Sequence, residues 1–248
     1  KRKVSAVFIF IRLILGHFIG DFLLQFDKIH TLKTKGLGGG LLLHVGIVVG
    51  CLLVLAFPFL DMPSLWLFIL FVGLTHYIQD WAKIKFTNNT RHQLVFFCLD
   101  QALHIAFIAT LFFTDIRTIR PTNASGHHLL LGLYNSASII LYFIAALIAS
   151  YMGHYIITFF KADYLNIKHP CGIFEKWYGC VERILIVSAL FPGVPWPILI
   201  PIIFVFRPLL YQTIKGKIFL SEQFCSKVEI FLSGFVGIAT GLIFYTLL

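Results

Sequence analysis

A succession of apolar runs, most of them about twenty residues long and closed by a short polar link, limits what this chain can fold into. They cover 4–25, 41–59, 65–84, 94–113 and about 136–160, then a run from 180 to 191, one ending near 211, and 228–248. About twenty apolar residues in a helix match the ~30 Å hydrocarbon core of a bilayer. Hydrophobic residues make up 58% of the 248 and charged residues 12%, more apolar surface than a soluble domain of this size can bury. The expectation is an all-α, polytopic transmembrane helix bundle with seven or eight spans. Twenty-seven phenylalanines suit its lipid-facing surface.

The formal charge of +9 lies in the links. In a soluble protein it would suggest nucleic acid; here it reads as topology-setting lysine and arginine beside anionic headgroups, with no nucleic-acid partner. Links after the first, third, fifth and seventh runs are basic, which puts them in the cytoplasm and the N-terminal end outside. Lys1-Arg2-Lys3 opposes that orientation, so a translocated tail, a re-entrant hairpin or a steep tilt stay open for run one. Its length, Arg12 and the missing small-residue cleavage site argue against a cleaved signal peptide. A polar stretch divides the chain into an N-terminal half (1–114), a link and lead-in (115–135) and a C-terminal half (136–248) within one membrane domain. Pro192 to Pro197 predicts a turn or broken helix. Five cysteines (Cys51, Cys98, Cys171, Cys180, Cys225) without CxxC spacing read as reduced thiols. Asn88-Asn89-Thr90 and Asn123-Ala124-Ser125 match glycosylation acceptors, a common chance pattern.

Polar residues inside the runs carry the chemistry. Gly16-His17-Phe18-Ile19-Gly20-Asp21-Phe22 and His76-Tyr77-Ile78-Gln79-Asp80-Trp81 share a His-aromatic-Ile-x-Asp-aromatic pattern. On a helix, positions i and i+4 lie on one face, so each segment aims an imidazole and a carboxylate the same way. His44 in run two, and Asp100 with His104 in run four, fall on the same side under this topology. At 1.5 Å per residue all seven lie about 6–15 Å from the basic ends of their runs. The offset of fifty-nine residues between the motifs also relates His44 to His104 within one residue, which suggests a parallel two-helix repeat about an axis along the membrane normal.

Imidazole with carboxylate suits zinc foremost, iron or manganese otherwise. The expected metal ligands are His17, Asp21, His44, His76, Asp80 and His104, with Asp100 as ligand or catalytic base. Gln25 and Gln101 extend the polar stripes, and Lys83 either snorkels to headgroups or joins the rim. In the second half His154 echoes the opening motif, with Thr158 near the aspartate's place. Glu182, Arg183, Arg207 and Glu229 fall on the same side; the adjacent Glu182-Arg183 reads as a paired structural charge or as a seat for an anionic headgroup. His30, His92, His127, His128 and His169 lie in links and carry little information.

The set His17-x3-Asp21-x3-Gln25, His44, His76-x3-Asp80 with Lys83, and Asp100-Gln101-x2-His104 resembles an uncharacterised bacterial membrane family, domain of unknown function three-three-zero-seven. The likeness runs over residues 10–113 and more weakly to Glu182-Arg183 and Glu229. It is also similar in flavour to membrane-bound proteins labelled metal-dependent hydrolases. The resemblance implies a multi-pass protein of the bacterial inner membrane. The expected function is a metal-dependent hydrolase acting on a lipid-borne or anionic substrate from the cytoplasmic leaflet. The alternatives are an ion- or proton-coupled transporter using the same stripe, and a non-catalytic membrane partner of a larger assembly.

Overall fold

In the computed structural model of the chain, the described residues are 6–25, 29, 31–33, 38–86, 92–118, 136–167, 172–191, 199–214, 224 and 226–247. The proline-rich stretch 192–197, both glycosylation-type tripeptides, Cys171, Cys225, the tail 1–3, and His30, His127, His128 and His169 lie outside them. All regular structure among the described residues is helical. The chain forms two compact units, 1–140 and 141–248.

Unit 1 begins with α1 (Ala6–Phe18), which runs into a π turn, Ile19–Leu23. Then come α2 (Gly39–Ala56), α3 (Pro63–Phe86) and α4 (Gln93–Ala109), with short 3-10 turns after α2 and α4. Helix α1 packs on α2 and α4, α2 on α3, and α3 on α4, so the four helices close a ring. Gly16 and Gly20 bring α1 against α2. A Cβ on Gly20 would lie 2.7 Å from Val48 Cα, and one on Gly16 3.1 Å from the Cys51 carbonyl oxygen. This is the small-xxx-small device by which membrane helices approach without a hydrophobic drive between them. It places His17 and Asp21 opposite His44.

Unit 2 holds α5 (Ala137–Leu147, which begins just before the unit boundary), a second π turn Ile148–Met152, α6 (Gly153–Tyr164), α7 (Ile173–Leu190), α8 (Leu199–Ile214) and α9 (Lys227–Leu247). Helix α9 packs on α7, where Gly237 and Gly241 press against Ile186 and Leu190. The helix expected from about Ser136 starts at Ala137, and residues 119–135, where the lead-in is expected, lie outside the described set.

Five segments are long and apolar enough to cross a membrane: Ala6–Leu23, Gly39–Phe59, Gln93–Phe113, Ala137–Tyr164 and Lys227–Leu247. Helix α3, at 24 residues, is not among them, because its second half carries His76, Gln79, Asp80, Lys83 and Lys85. The polar residues that attract attention to α3 are the ones that lower its hydropathy. Outward faces are apolar, with Leu67, Leu70, Leu74, Phe231 and Phe235 all well exposed, as a lipid-facing surface requires. Such a set of helices fits a membrane protein. Ala6–Leu23 is 67% buried against 33% for the other four, which makes it the inner helix of its unit.

Candidate functional site

Each of the four ring helices sends polar side chains inward to one place. His17, His44, His76, Asp80 and His104 are at most 3% exposed, and Asp21 and Asp100 are 9% exposed. At the centre, His44 Nε2 lies 3.1 Å from Asp21 Oδ1, 3.3 Å from Asp80 Oδ2 and 3.1 Å from His76 Nε2. His76 Nε2 is 3.2 Å from Asp80 Oδ2 and 3.9 Å from Asp21 Oδ1. One imidazole N–H cannot serve three acceptors at once. The separations match those of atoms that share a cation, since bonds of about 2.0–2.1 Å around a tetrahedral ion set its ligands about 3.3–3.4 Å apart.

Two overlapping groups, Asp21/His44/His76 and His76/Asp80/His104, bring their ligand atoms within 4.8 Å of one another and could hold a metal ion. His17 and His104 stack beside them, with ring centroids 4.9 Å apart and each close to His76, at 5.3 and 4.2 Å. Both ring nitrogens of His17, Nε2 of His104, Nδ1 of His44, Oε1 of Gln101 and Oδ2 of Asp80 are buried without a hydrogen-bond partner. Asp80 Oδ2 has Lys33, His44 and His76 close by, but none of them is aligned as a hydrogen bond. Buried polar atoms are nearly always satisfied, so a concentration of orphans marks a place where something binds.

Around this core runs a charge-compensating shell. Gln101 donates from Nε2 to Asp21 Oδ2 at 3.2 Å and to Asp100 Oδ2 at 3.1 Å, so the stripe residue on α4 ties two carboxylates together. Lys83 donates to Asp100 Oδ2 at 2.6 Å, and His104 Nε2 lies 3.6 Å from Asp100 Oδ1. Lys83 therefore belongs to the centre and does not merely snorkel. Asp100 sits at the edge, engaged by Lys83 and Gln101, and lies in neither of the two groups. Gln25 is half-buried just past the π turn.

Sequence reasoning missed two participants in the centre and a third buried feature on α1. Lys33, in the link between α1 and α2, is buried and lies 2.7 Å from Asp80 Oδ2. It reaches inward because Gly40 lets the link approach; a Cβ there would fall 2.3 Å from the Leu32 carbonyl oxygen. The π turn is the second omission. The two His-x3-Asp motifs are not equivalent, for His76 and Asp80 meet across one regular turn, whereas Asp21 sits in the π turn and reaches His44 and Gln101. Single π turns recur at functional sites, where they re-aim a side chain. The third is Arg12, buried inside α1 against the faces of Phe8 and Phe59, 4.1 and 5.2 Å from their centroids.

The second-half candidates lie in unit 2, where Glu182 and Arg207 pair with each other and the others meet different partners. Glu182 does not pair with adjacent Arg183, because neighbours on a helix point about 100° apart. Its carboxylate takes Arg207 through both oxygens, Nε to Oε1 at 3.0 Å and Nη2 to Oε2, and accepts from Ser233 Oγ at 2.5 Å. Arg183 instead donates to the Ala149 and Ser150 carbonyls, at 2.6 and 3.0 Å, inside the second π turn. That turn loosens the regular carbonyl pattern, and the guanidinium satisfies what it frees. Glu229 pairs with Lys161 at 2.5 Å, and His154 packs half-buried against Tyr155.

No curated protein and no solved structure matches the chain. Residues 9–131, which hold every His, Asp and Lys of the centre, match the model of a family described as "Protein of unknown function (DUF3307)", and over that span the chain belongs to this family.

Proposed function

We propose that unit 1 is a membrane-embedded metal centre that performs hydrolysis on a lipid-borne, anionic substrate. One observation carries the reading: nitrogen and carboxylate oxygens from four helices converge at ligand-to-ligand distances, with orphaned imidazole nitrogens around them. Asp21, His44, His76 and Asp80 would hold the ion, zinc foremost, and iron or manganese by the same donor chemistry. Such an ion polarises an ester or phosphoryl group and makes water acidic enough to attack it. Asp100, held by Lys83 and Gln101, is the carboxylate left to take a proton. With imidazoles neutral, Asp21, Asp80 and Asp100 against Lys33 and Lys83 leave a net charge of −1; one divalent ion turns it to +1, a sign that suits an anion.

Helices α3, α7 and α8 are read as crossing the bilayer with the five apolar segments, giving eight spans. The basic links put the centre near the cytoplasmic leaflet, and the resemblance carried by the His/Asp motifs points to a bacterial inner membrane, the lipid bilayer being the partner. The test is elemental analysis of detergent-purified protein prepared without chelator. About one or more equivalents of transition metal, lost in Asp80→Asn with His44→Ala, is the expected result. Less than about a tenth of an equivalent would sink the proposal.

A second reading has its own support. Lys83, Asp100, Gln101, Asp21, His44, His76, Asp80 and Lys33 form a continuous chain of contacts of 2.6–3.2 Å, with Lys83 partly exposed. A chain of that kind can relay protons or ions. Flux across liposomes that disappears in Asp21→Asn, from protein free of metal, would select this reading.

A further inference from the structure

Four orphaned atoms belong to residues outside the Asp21–His44–His76–Asp80 knot. They are the two ring nitrogens of His17, Nε2 of His104 and Oε1 of Gln101, all on residues at most 3% exposed. His104 lies one turn beyond Gln101 on α4, and His17 faces His104 across 4.9 Å. A single ion in the knot leaves these atoms unsatisfied. Yet His104 shares a ligand group with His76 and Asp80, all within 4.8 Å.

We infer that unit 1 holds a second cation position, made by His76, Asp80 and His104 with His17 beside them; when both positions fill, His76 ligates the second ion, Asp21 and His44 keep the first, and Asp80 bridges the two. The inference rests on the proposed metal centre and adds its nuclearity and substrate class. Asp80 can serve both positions because a carboxylate carries two oxygens. Lys33 supplies an independent sign that positive charge belongs here: its ammonium sits 2.7 Å from Asp80 Oδ2, buried, on the carboxylate that would bridge the two positions. Two divalent ions bring four positive charges to three carboxylates, so Lys33 gives way when both positions fill.

Paired ions about 3.5–4 Å apart are the device by which enzymes hold the attacking and leaving oxygens of a phosphoryl transfer. With Lys83 still in place the loaded centre carries a net +2, which matches a phosphate ester. The substrate class is therefore a phosphate monoester or diester carried on a lipid. Attack by water at phosphorus forms the new P–O bond, the ester oxygen leaves with the bonding pair, and the water's proton passes to Asp100 and on to the leaving oxygen.

The test is metal stoichiometry and spectroscopy of the full-length protein in detergent. Stripped protein is saturated with Mn²⁺, desalted and analysed for manganese per chain. Two equivalents are expected, with an exchange-coupled Mn²⁺ resonance, falling to one equivalent and an isolated six-line spectrum in His104→Ala. One equivalent in the unaltered protein, with an uncoupled spectrum, overturns the second position and leaves the single-ion centre standing. Fewer than about a tenth of an equivalent overturns both. Two equivalents retained in His104→Ala overturns the ligand assignment. The unaltered protein alone decides nuclearity, so a variant that fails to fold does not block the test.

Discussion

Replacing Lys33 by methionine should tighten metal binding while weakening the metal-free fold. The two effects have different origins. Lys33 Nζ lies 2.7 Å from Asp80 Oδ2, and the pair is almost fully buried. A divalent ion bound about 2.1 Å from that oxygen would lie about 4–5 Å from the ammonium. At about 4.5 Å, charges of +2 and +1 repel by about 2 kcal/mol at water's dielectric constant and about 7 kcal/mol at an effective constant of 20. The smaller figure already corresponds to about a 20-fold change in affinity. Methionine keeps most of the stem's packing and removes the charge. Without metal it also leaves Asp80 without its closest cation, and breaking a buried pair costs about 3–5 kcal/mol. For a chain of this size each kcal/mol moves the thermal midpoint by about 2–4 °C. Zn²⁺ titration of chelator-stripped protein by calorimetry, with thermal unfolding in the same detergent, reads both quantities. The midpoint should fall without Zn²⁺ and recover with it, and the Zn²⁺ affinity should rise at least about 20-fold. An affinity that stays level or drops would refute the reasoning, since a protein damaged only in its fold has no means of binding metal more tightly.

Gly40→Ala should reproduce part of that gain in Zn²⁺ affinity by pushing the Leu32 backbone away from α2, because its Cβ would meet the Leu32 carbonyl oxygen at 2.3 Å; an affinity equal to the unaltered protein's would disconnect Gly40 from Lys33. Gly20→Ala should destabilise by about 1–3 kcal/mol through contact with the Val48 backbone, whereas Gly46→Ala, with nothing within 4 Å, should be neutral or stabilise by up to about 1 kcal/mol. Equal midpoints for the two in thermal unfolding would show that α1 and α2 do not meet as described. In unit 2, Arg207→Met alone should destabilise by about 3–5 kcal/mol by stranding the Glu182 carboxylate, and Glu182→Leu with Arg207→Met should recover much of it. A double variant as unstable as the single would mean the pair does not bear on stability through its charge.

How much of this was legible in the sequence depended on the range of the interaction. Helix existence follows from local apolar content, and five segments carry enough of it. Helix α3 is harder, since a span that donates His76, Asp80 and Lys83 to a centre loses the hydropathy that marks a span. The His and Asp residues were legible because ionisable groups in apolar runs are costly and need a reason. That argument finds a set of residues but not their partners, which depend on geometry no spacing rule contains. Adjacent Glu182 and Arg183 look like a pair in sequence and diverge on the helix, and His17 and Asp21 are one α-turn apart in sequence until a π turn swings the aspartate toward α2. Lys33 was hidden for a different reason. In a link, a lysine is the expected residue, since basic links set topology, so its presence there raised no question. The residue type that asks for least explanation in a link was the one holding Asp80. The charge balance offered the missing signal: three buried carboxylates with one lysine among them leave two negative charges to neutralise. Any basic residue within reach of the α2 N-terminus was then a candidate, and Gly40, which lets the link close on α2, marks Lys33 as the one that can reach.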